Sequence, residues 1–272
     1  MRALSPSGRR AAVMWAVAAC VVPPGIAAQA EVSPLAATPL DASQPGTESA
    51  ASTGAASAER PFKFTAGYYD FGSFAGKDAN LRHRREDTSL WLGWYEDAHF
   101  GEQFRVGWDT SVKPFAPLPL FVQPSLQAAS HGFVGGSLNL QYGQSWFVLA
   151  GIGRTNLRPY MNLNFDPNDA ITVSTGYQPE DGPQYAVTFV ADDRLGTRQR
   201  HLHGTLHWPL PEGQRATFDV LRKTGQGDGG YVRAWGATLT YDFPRWFVRL
   251  AYDPKQNFGV YDVTRLSAGI RF

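Results

Sequence analysis

The sequence has 272 residues, enough for one sizeable domain or two small ones, and its formal net charge of +1 argues against nucleic acid as a partner. Aromatic residues make up 13% of the chain, glycines number 28, and charged residues make up only 18%. This mixture suits many short strands joined by tight turns. Cys20 is the only cysteine. If it leaves with a signal peptide, disulfides, cysteine metal sites and cysteine nucleophiles are all excluded.

The first 30 residues have the pattern of a secretory signal peptide. Arginines at the start precede an apolar core at residues 11–22, and residues 28–30 form a small-x-small cleavage site. Residues 17–20 also resemble a lipobox, which would lipidate Cys20 instead. We favour ordinary cleavage because the apolar stretch before Cys20 is short. Both interpretations predict export from the cytoplasm.

Residues 31–60 are rich in Ala, Ser, Thr, Pro and Gly and contain few large apolar side chains. Such a segment cannot bury enough apolar surface to offset the entropy lost on ordering, so we predict a disordered periplasmic linker. Beyond residue 30 there is no stretch of about 18 apolar residues, which excludes a transmembrane helix. It does not exclude a barrel, whose strands alternate over about 10 residues.

From residue 61 onward, apolar and polar residues alternate over short segments separated by turn-forming residues. A period of two places successive side chains on opposite faces of a β-strand. The pattern therefore predicts an all-β domain over residues 61–272. We predict strands at residues 62–72, 88–96, 103–112, 133–142, 146–154, 170–178, 184–192, 200–208, 214–223, 231–242, 246–253 and 263–272.

Residues 113–132 are ambiguous, because residues 121–130 also have the composition of a strand. A barrel that starts and ends in the periplasm needs an even number of strands. If residues 113–132 form one loop, short turns fall on one side of the barrel and mostly longer loops on the other. If residues 121–130 form a strand, a further strand is needed elsewhere. We therefore predict about 12 strands, with 10 and 14 as alternatives.

The end of the chain carries the most specific pattern. Leu266, Ala268, Ile270 and Phe272 are apolar, and the residues between them are polar or small. This ending resembles the last strand of Gram-negative outer-membrane β-barrel proteins, which ends in Phe or Trp after alternating apolar residues. The resemblance implies that these four residues form a signal read by the barrel-assembly machinery and that the C-terminus is periplasmic. It also implies that outer-membrane lipid and lipopolysaccharide surround the protein.

The distribution of charge favours a membrane barrel over a soluble β-sandwich. Charged side chains occupy the strand face opposite the apolar one, and in a dry core they would be very costly. Aromatic residues near strand ends, such as Trp208 and Trp246, fit the interfacial girdles of a membrane barrel. We therefore predict a closed, antiparallel, up-and-down transmembrane β-barrel. Its predicted lumen-lining residues are Arg105, Asp109, His201, His203, His207, Asp219, Lys223, Arg249, Asp253, Arg265 and Arg271.

Three of these residues, His201, His203 and His207, share one strand face and would suit a metal ion if a neighbour supplied a ligand. The outer two lie about 20 Å apart at the rise of a strand. One ion can therefore touch only an adjacent pair, and we favour a polar lumen lining. The other charges admit two interpretations. They form a structural salt-bridge network, or their local excess of arginine forms a selectivity ring for small anions.

Two loop motifs are weaker signals. The basic run at residues 82–85 lies in a predicted long loop, residues 73–87, and outside the cell it would face the phosphates of lipopolysaccharide. We slightly prefer a solvated charge run that the following acids, Glu86 and Asp87, offset. Residues 166–169 offer oxygen ligands for calcium but lack the spacing of an EF-hand, so they predict a plain turn.

The leading functional hypothesis is a narrow passive channel with a charged lumen, or an envelope structural protein. One alternative is a lipid-modifying enzyme on the same scaffold, although no His-x-Ser pair or nucleophile elbow occurs. Another is a non-conducting anchor whose residues 31–60 bind a periplasmic partner. We predict no catalytic residues, no cofactor, no metal and no nucleic-acid partner. Bilayer current favouring anions, and lost on Arg249→Ala, is the result expected of the channel.

Overall fold

The computed structural model describes residues 60–115, 117–163, 169–179 and 181–272. Within these residues, fourteen antiparallel strands form a closed barrel, in which each strand pairs with its chain neighbours and the last pairs with the first. The strands are β1 Phe62–Asp70, β2 Ala75–Arg85, β3 Thr88–Asp97, β4 Gly101–Thr110, β5 Leu120–Ala129, β6 Phe133–Tyr142, β7 Trp146–Thr155, β8 Ala170–Tyr177, β9 Gln184–Asp192, β10 Arg200–Leu210, β11 Gln214–Gly227, β12 Gly230–Asp242, β13 Trp246–Asp253 and β14 Val263–Arg271. The predicted closed, up-and-down antiparallel barrel is confirmed, and its strand number is corrected from about twelve to fourteen.

The barrel closes where the two ends of the domain meet. The backbone N–H of Phe62 donates to the carbonyl of Phe272, and the N–H of Phe272 donates to the carbonyl of Phe62, both at 2.9 Å. The two rings also stack with centroids 5.6 Å apart. Closure leaves no unpaired strand edge, which a lipid environment requires. We name this end of the barrel the terminal end and the opposite end the loop end.

Strand β2 was missed because its outward face carries almost no large apolar residue. Ala79 and Leu81 are its only apolar outward side chains near mid-strand, while Lys77 and Arg85 face outward towards its two ends. The ring of Phe62 packs beside His83 at 4.8 Å and so shields it. The prediction of an external loop at residues 73–87 was therefore wrong. The basic run at residues 82–85 lies in a strand at the terminal end, not in a loop facing lipopolysaccharide.

Strand β5 was excluded by parity, because with β2 unrecognised a strand at residues 121–130 would have made the strand number odd. It carries Pro124 at its centre, and proline cannot donate to a strand ladder. The structure accommodates it at a gap in the pairing. Strand β5 pairs with β4 from Ser125 onward, and before Pro124 it makes only an isolated bridge between Val122 and Val112. The proline nitrogen therefore lies where no ladder bond is needed. Together, β2 and β5 preserve the even strand number.

The two additional strands change the side on which some connections lie. The loop end carries the connections at residues 71–74, 98–100, 130–132, 156–169, 193–199, 228–229 and 254–262, and the terminal end carries those at 86–87, 111–119, 143–145, 178–183, 211–213 and 243–245. The connection between the predicted strands at residues 88–96 and 103–112 is short, yet it lies at the loop end and not with the terminal turns. Short 3₁₀ turns occur at Ser130–Gly132, Pro211–Gly213 and Gln256–Phe258. No helix in the described ranges is long and apolar enough to cross a membrane.

The predicted signal peptide lies outside the described residues, as does the linker apart from its last residue, Arg60. Residues 166–168 of the loop motif also lie outside them. Its last residue, Asp169, accepts hydrogen bonds from the backbone and hydroxyl of Thr155. It also forms an ion pair with Arg194 at 2.9 Å. Both oxygens of this carboxylate therefore have protein partners.

Candidate functional site

The two faces of the barrel wall differ in polarity. Leu92, Leu140 and Ile270 expose 60%, 45% and 48% of their surface on the outside, whereas Asp109 and Arg249 on the inner face expose 7% and 2%. The apolar face points outward. This arrangement is the reverse of a soluble protein, which buries apolar side chains and keeps charges in solvent. The outer wall is therefore suited to lipid and the interior to water and ions.

Aromatic rings line the outer surface at the terminal end. Trp146 contacts Tyr177 with ring centroids 4.7 Å apart, and Tyr177 contacts Tyr185 at 5.6 Å. Further around the barrel, Phe243 stacks on Trp246 at 3.7 Å. Such rings prefer the boundary between hydrocarbon and water, so this belt fits a membrane interface.

A buried ion pair lies on the inner face between Lys223 on β11 and Asp253 on β13. Its Nζ and Oδ1 atoms are 2.6 Å apart, and the side chains expose 0% and 1%. The pair spans the intervening strand β12, where the small residues Ala234 and Gly236 leave room for the long lysine side chain. The ammonium also donates to the carbonyl of Lys255 at 2.8 Å. This cation therefore links β11 to β13 and to the loop that follows β13.

The three histidines of β10 all lie on the inner face, but each has a different neighbour. His203 Nδ1 lies 3.0 Å from Oδ1 of Asp219, and His207 Nδ1 lies 2.9 Å from a threonine hydroxyl on β11. The ring of His201 stacks on Phe258 with centroids 5.3 Å apart. Across the described residues, no group of three His, Cys, Asp or Glu side chains is arranged to hold a metal ion. The geometry thus suits individual polar contacts within the lumen.

The buried arginines of the inner face are held by hydroxyls, carbonyls and aromatic rings as well as by acids. Arg265 donates from Nε to Oγ of Ser267 at 2.9 Å and lies 5.1 Å from the ring centre of Tyr69. Arg249 donates to a threonine hydroxyl on β12 at 3.0 Å. Arg105 lies 5.9 Å from a tryptophan ring on β3. Such contacts fix the guanidinium groups in place while leaving their positive charge on the lumen wall.

A row of three bases crosses the strands at the terminal end. Lys63 on β1 lies directly opposite both Arg82 on β2 and Arg271 on β14. We name these three residues the basic row. On the inner face at this end, five bases outnumber two acids, namely Lys63, Arg82, Arg84, Arg215 and Arg271 against Asp109 and Asp242. Like charges directly opposite each other are destabilising, so stability alone does not account for the row.

Asp242 offsets part of this positive charge. It accepts hydrogen bonds from Arg271 and, at 3.4 Å, from Arg215. The Lys63 ammonium lies 4.4 Å from the ring centre of Phe247, which fixes it on the lumen side of the wall. The inner surface at the terminal end therefore carries a net positive charge, and the Asp242 carboxylate lies beside two of its arginines.

Part of the loop between β7 and β8 enters the barrel from the loop end. We name Pro159–Leu163 the inward segment. Its Tyr160 stacks on Phe133 of β6 with ring centroids 4.1 Å apart. The backbone of Met161 exchanges two hydrogen bonds with the side-chain amide of Gln103 on β4, at 2.8 and 3.0 Å. The first part of the segment is thus attached to β4 and β6, which lie on either side of β5.

The second half of the inward segment is attached at further points. The carbonyl of Asn162 accepts a hydrogen bond from Asn257 at 2.9 Å. The side chain of Leu163 is buried with Tyr69, Tyr95 and other apolar residues inside the barrel. These contacts hold the segment across the loop-end half of the lumen, where it narrows the passage.

A row of uncharged polar groups lines the wall opposite the charged strands. Gln123, Asn139, Gly151 and Thr172 are successive register partners on β5 to β8. The amide atoms of Gln123 and Asn139 and the hydroxyl of Thr172 are buried and have no hydrogen-bond partner among the described residues. We name these three residues the amide row. Buried polar groups are costly unless hydrogen-bonded, so these strands supply fewer polar partners than the amide row needs.

The eleven residues predicted to line the lumen all occupy inner-face positions, on β4, β10, β11, β13 and β14. The structure brings Lys223 to Asp253 and His203 to Asp219. Leu266, Ala268, Ile270 and Phe272 face outward. Sequence analysis missed the amide row, the inward segment and two members of the basic row. The third member, Arg271, was among the predicted lumen-lining residues. Alternation in the first strand would also have placed Lys63 on the inner face.

Sequence comparison identifies no relatives, since no family model matches the chain and no curated protein matches it. Structure comparison does find similar chains. The outer membrane protein Omp33 of Acinetobacter baumannii aligns with a TM-score of 0.46 and 12% identity, over 79% of this chain and 99% of its own. Salmonella typhi OmpF gives 0.44 and 11%, over 78% and 97%. The KdgM porin gives 0.42 and 11%, over 78% and 98%.

Proposed function

We propose that this protein is a narrow passive channel of the outer membrane. The observation that carries the proposal is the polarity of the wall, because apolar side chains face outward and charged or polar side chains face the interior. The charged groups and the amide row together give the interior a polar lining between the two ends. The inward segment narrows this interior, so only small solutes pass.

The outer surface supports the membrane location. Apolar side chains cover the middle of the wall, and aromatic rings lie at the terminal end. The outward-facing set Leu266, Ala268, Ile270 and Phe272 is the signal through which the barrel-assembly machinery would insert the chain. On this proposal, outer-membrane lipid surrounds the wall and the terminal end is periplasmic.

An arginine introduced on the lipid-facing wall tests this location by its dependence on depth. Leu250 faces outward at mid-strand, beside Leu239 and Leu266 on the adjacent strands. We expect Leu250→Arg to lower the free energy of unfolding in lipid vesicles by about 2–4 kcal/mol, because the charge would lie in hydrocarbon. The control Tyr252→Arg, on the same face nearer the loop end, should cost about 0–1 kcal/mol. Equal costs at both positions would contradict a membrane location.

The basic row supports a preference for anions. Positive charge at a narrow mouth raises the local anion concentration and lowers that of cations. Arg249 was the first candidate for this role, but its guanidinium is buried against a threonine hydroxyl. Lys63 and Arg82, which are only partly buried at the terminal mouth, are better placed to act on ions.

The purified protein in a planar lipid bilayer, with a salt gradient across it, tests both conduction and selectivity. We expect a reversal potential that indicates anion preference. Lys63→Gln combined with Arg82→Gln should lower the anion-to-cation permeability ratio at least about twofold, because two positive charges leave the mouth. The matched control is Arg85→Gln, which removes an outward charge from the same strand as Arg82 and should change nothing. An unchanged ratio in the double variant would contradict the role of the basic row.

The same recording separates the channel from the two alternatives. A barrel without measurable current would instead favour an anchor acting through residues 31–60. A lipid-modifying enzyme needs its catalytic groups on the lipid-facing surface, whereas His201, His203 and His207 are buried on the inner face. No observation on the described strands specifically favours either alternative.

A further inference from the structure

A cavity of about 320 Å³ lies at the loop end, separate from the basic row and the amide row. Phe71, Phe74 and Tyr261 contribute aromatic rings to its lining, and Asp97 and Asp228 contribute carboxylates. The inward segment contributes its first three residues to one side of the cavity. The volume is at the lower end of the range for small-molecule sites.

The aromatic rings form a corner. Phe71 and Phe74 are stacked, with centroids 4.3 Å apart and planes 7° from parallel. Tyr261 meets Phe74 at 5.0 Å with planes 84° apart, and His99 adds a further ring 4.0 Å from Phe74. A corner of ring faces and edges provides both apolar contact and the negative potential of the π-systems.

The charged groups that line this cavity are the two carboxylates, so its charge is negative. Among the described residues, no lysine or arginine lines it. Asp97 is fully engaged, because it accepts hydrogen bonds from the hydroxyl of Tyr95 at 2.6 Å and from two backbone N–H groups. Two lysines lie on neighbouring segments of the same chain. Lys223 forms an ion pair with Asp253, and Lys255 forms one with Asp262.

Asp228 differs from Asp97, because its carboxylate has no hydrogen bond or ion pair with any described residue. Its backbone N–H donates to the carbonyl of Phe258 at 3.0 Å, which fixes the position of the residue at the cavity. Burial raises the pKa of the Asp228 carboxyl above its ordinary value. The residue as a whole is exposed, so the carboxylate lies at the rim of the cavity, where a nearby cation would stabilise its ionised form.

We propose that this cavity binds a small organic cation with an apolar body, such as a quaternary or protonated amine. The cationic group lies beside Asp228 and the aromatic corner, and the apolar body packs on Phe71 and Phe74. An organic anion would be repelled by the carboxylate. An inorganic cation would lose its hydration shell without gaining enough oxygen ligands. The proposal goes beyond conduction, because the site would bind its ligand whether or not current flows.

Binding of phenyltrimethylammonium to the purified full-length protein in a non-ionic detergent tests the proposal, with benzenesulfonate as an anion of similar size. Ligand-observed NMR titration gives both affinities. We expect saturable binding of the cation and none of the anion. Asp228→Asn should weaken cation binding about threefold, because the counter-charge is lost from the rim of the cavity. Phe74→Leu should weaken it by a similar factor, because a ring face is lost.

The matched control is Asp181→Asn, which removes an exposed carboxylate at the terminal end and should leave the affinity unchanged. Far-UV circular dichroism of each variant confirms that the barrel is intact. Equal affinity for cation and anion, unchanged affinity in Asp228→Asn, or no saturable binding would each overturn the proposal. Because the titration requires no current, a failure to conduct in the bilayer would leave this result standing.

Discussion

Replacing Lys223 with methionine is expected to lower the free energy of unfolding by about 3–5 kcal/mol, one of the largest effects of any single substitution in this barrel. The lysine side chain is fully buried, and its ammonium lies 2.6 Å from Asp253. Its loss leaves an uncompensated carboxylate in the interior and removes a hydrogen bond to the loop after β13. Equilibrium unfolding by urea in lipid vesicles measures the change.

Two further variants identify the cause of that loss. The double variant Lys223→Met with Asp253→Leu removes both charges and should recover most of the stability, since a buried pair often contributes little beyond a hydrophobic replacement. Arg222→Met removes a neighbouring cation that faces outward, and we expect it to change stability by less than about 1 kcal/mol. A single Lys223→Met variant as stable as Arg222→Met would show that the carboxylate is not desolvated.

Replacing the inward segment, Pro159–Leu163, with five Gly and Ser residues is expected to raise single-channel conductance about two- to threefold. The substitution removes Tyr160 and Leu163, the two large side chains that pack inside the lumen. It also weakens attachment to the walls, because the new side chains cannot fill the apolar contacts inside the barrel. Single-channel recording in planar bilayers measures the change.

The control for this experiment replaces residues 181–183 with Gly and Ser. These residues form a turn at the terminal end, between β8 and β9, and they do not enter the lumen. We expect their replacement to leave conductance unchanged. If conductance also stays unchanged after replacement of the inward segment, the segment is not the constriction of the ion path.

Period-two alternation was sufficient to predict most of the barrel. In β14, Leu266 and Ile270 face outward and Arg265 faces inward, as their alternation in the sequence predicts. The same rule assigned Asp109 and Arg249 to the inner face without any knowledge of neighbouring strands. It succeeds because each strand of a membrane barrel separates lipid from a polar interior, so the pattern is local.

Alternation did not identify two of the fourteen strands, β2 and β5. The outward face of β2 has mainly Ala79 and Leu81 to contact hydrocarbon, so its pattern resembles a polar loop. Residues 121–130 did have the composition of a strand, but with β2 unrecognised a strand there gave an odd strand number. Strand β5 also carries Pro124, which cannot donate to a ladder. Only the pairing with β4, which resumes at Ser125, shows how the proline is accommodated.

The sequence by itself determined the all-β barrel, the polarity of its two faces and the charged character of its interior, because these properties depend on single strands. The tertiary structure alone decided that there are fourteen strands and that Lys223 reaches Asp253 across β12. It also decided that Lys63 lies between Arg82 and Arg271 and that Pro159–Leu163 enters the lumen. These features depend on register and on the path of a loop. Both are set by contacts between residues far apart in the chain, which no local periodicity contains.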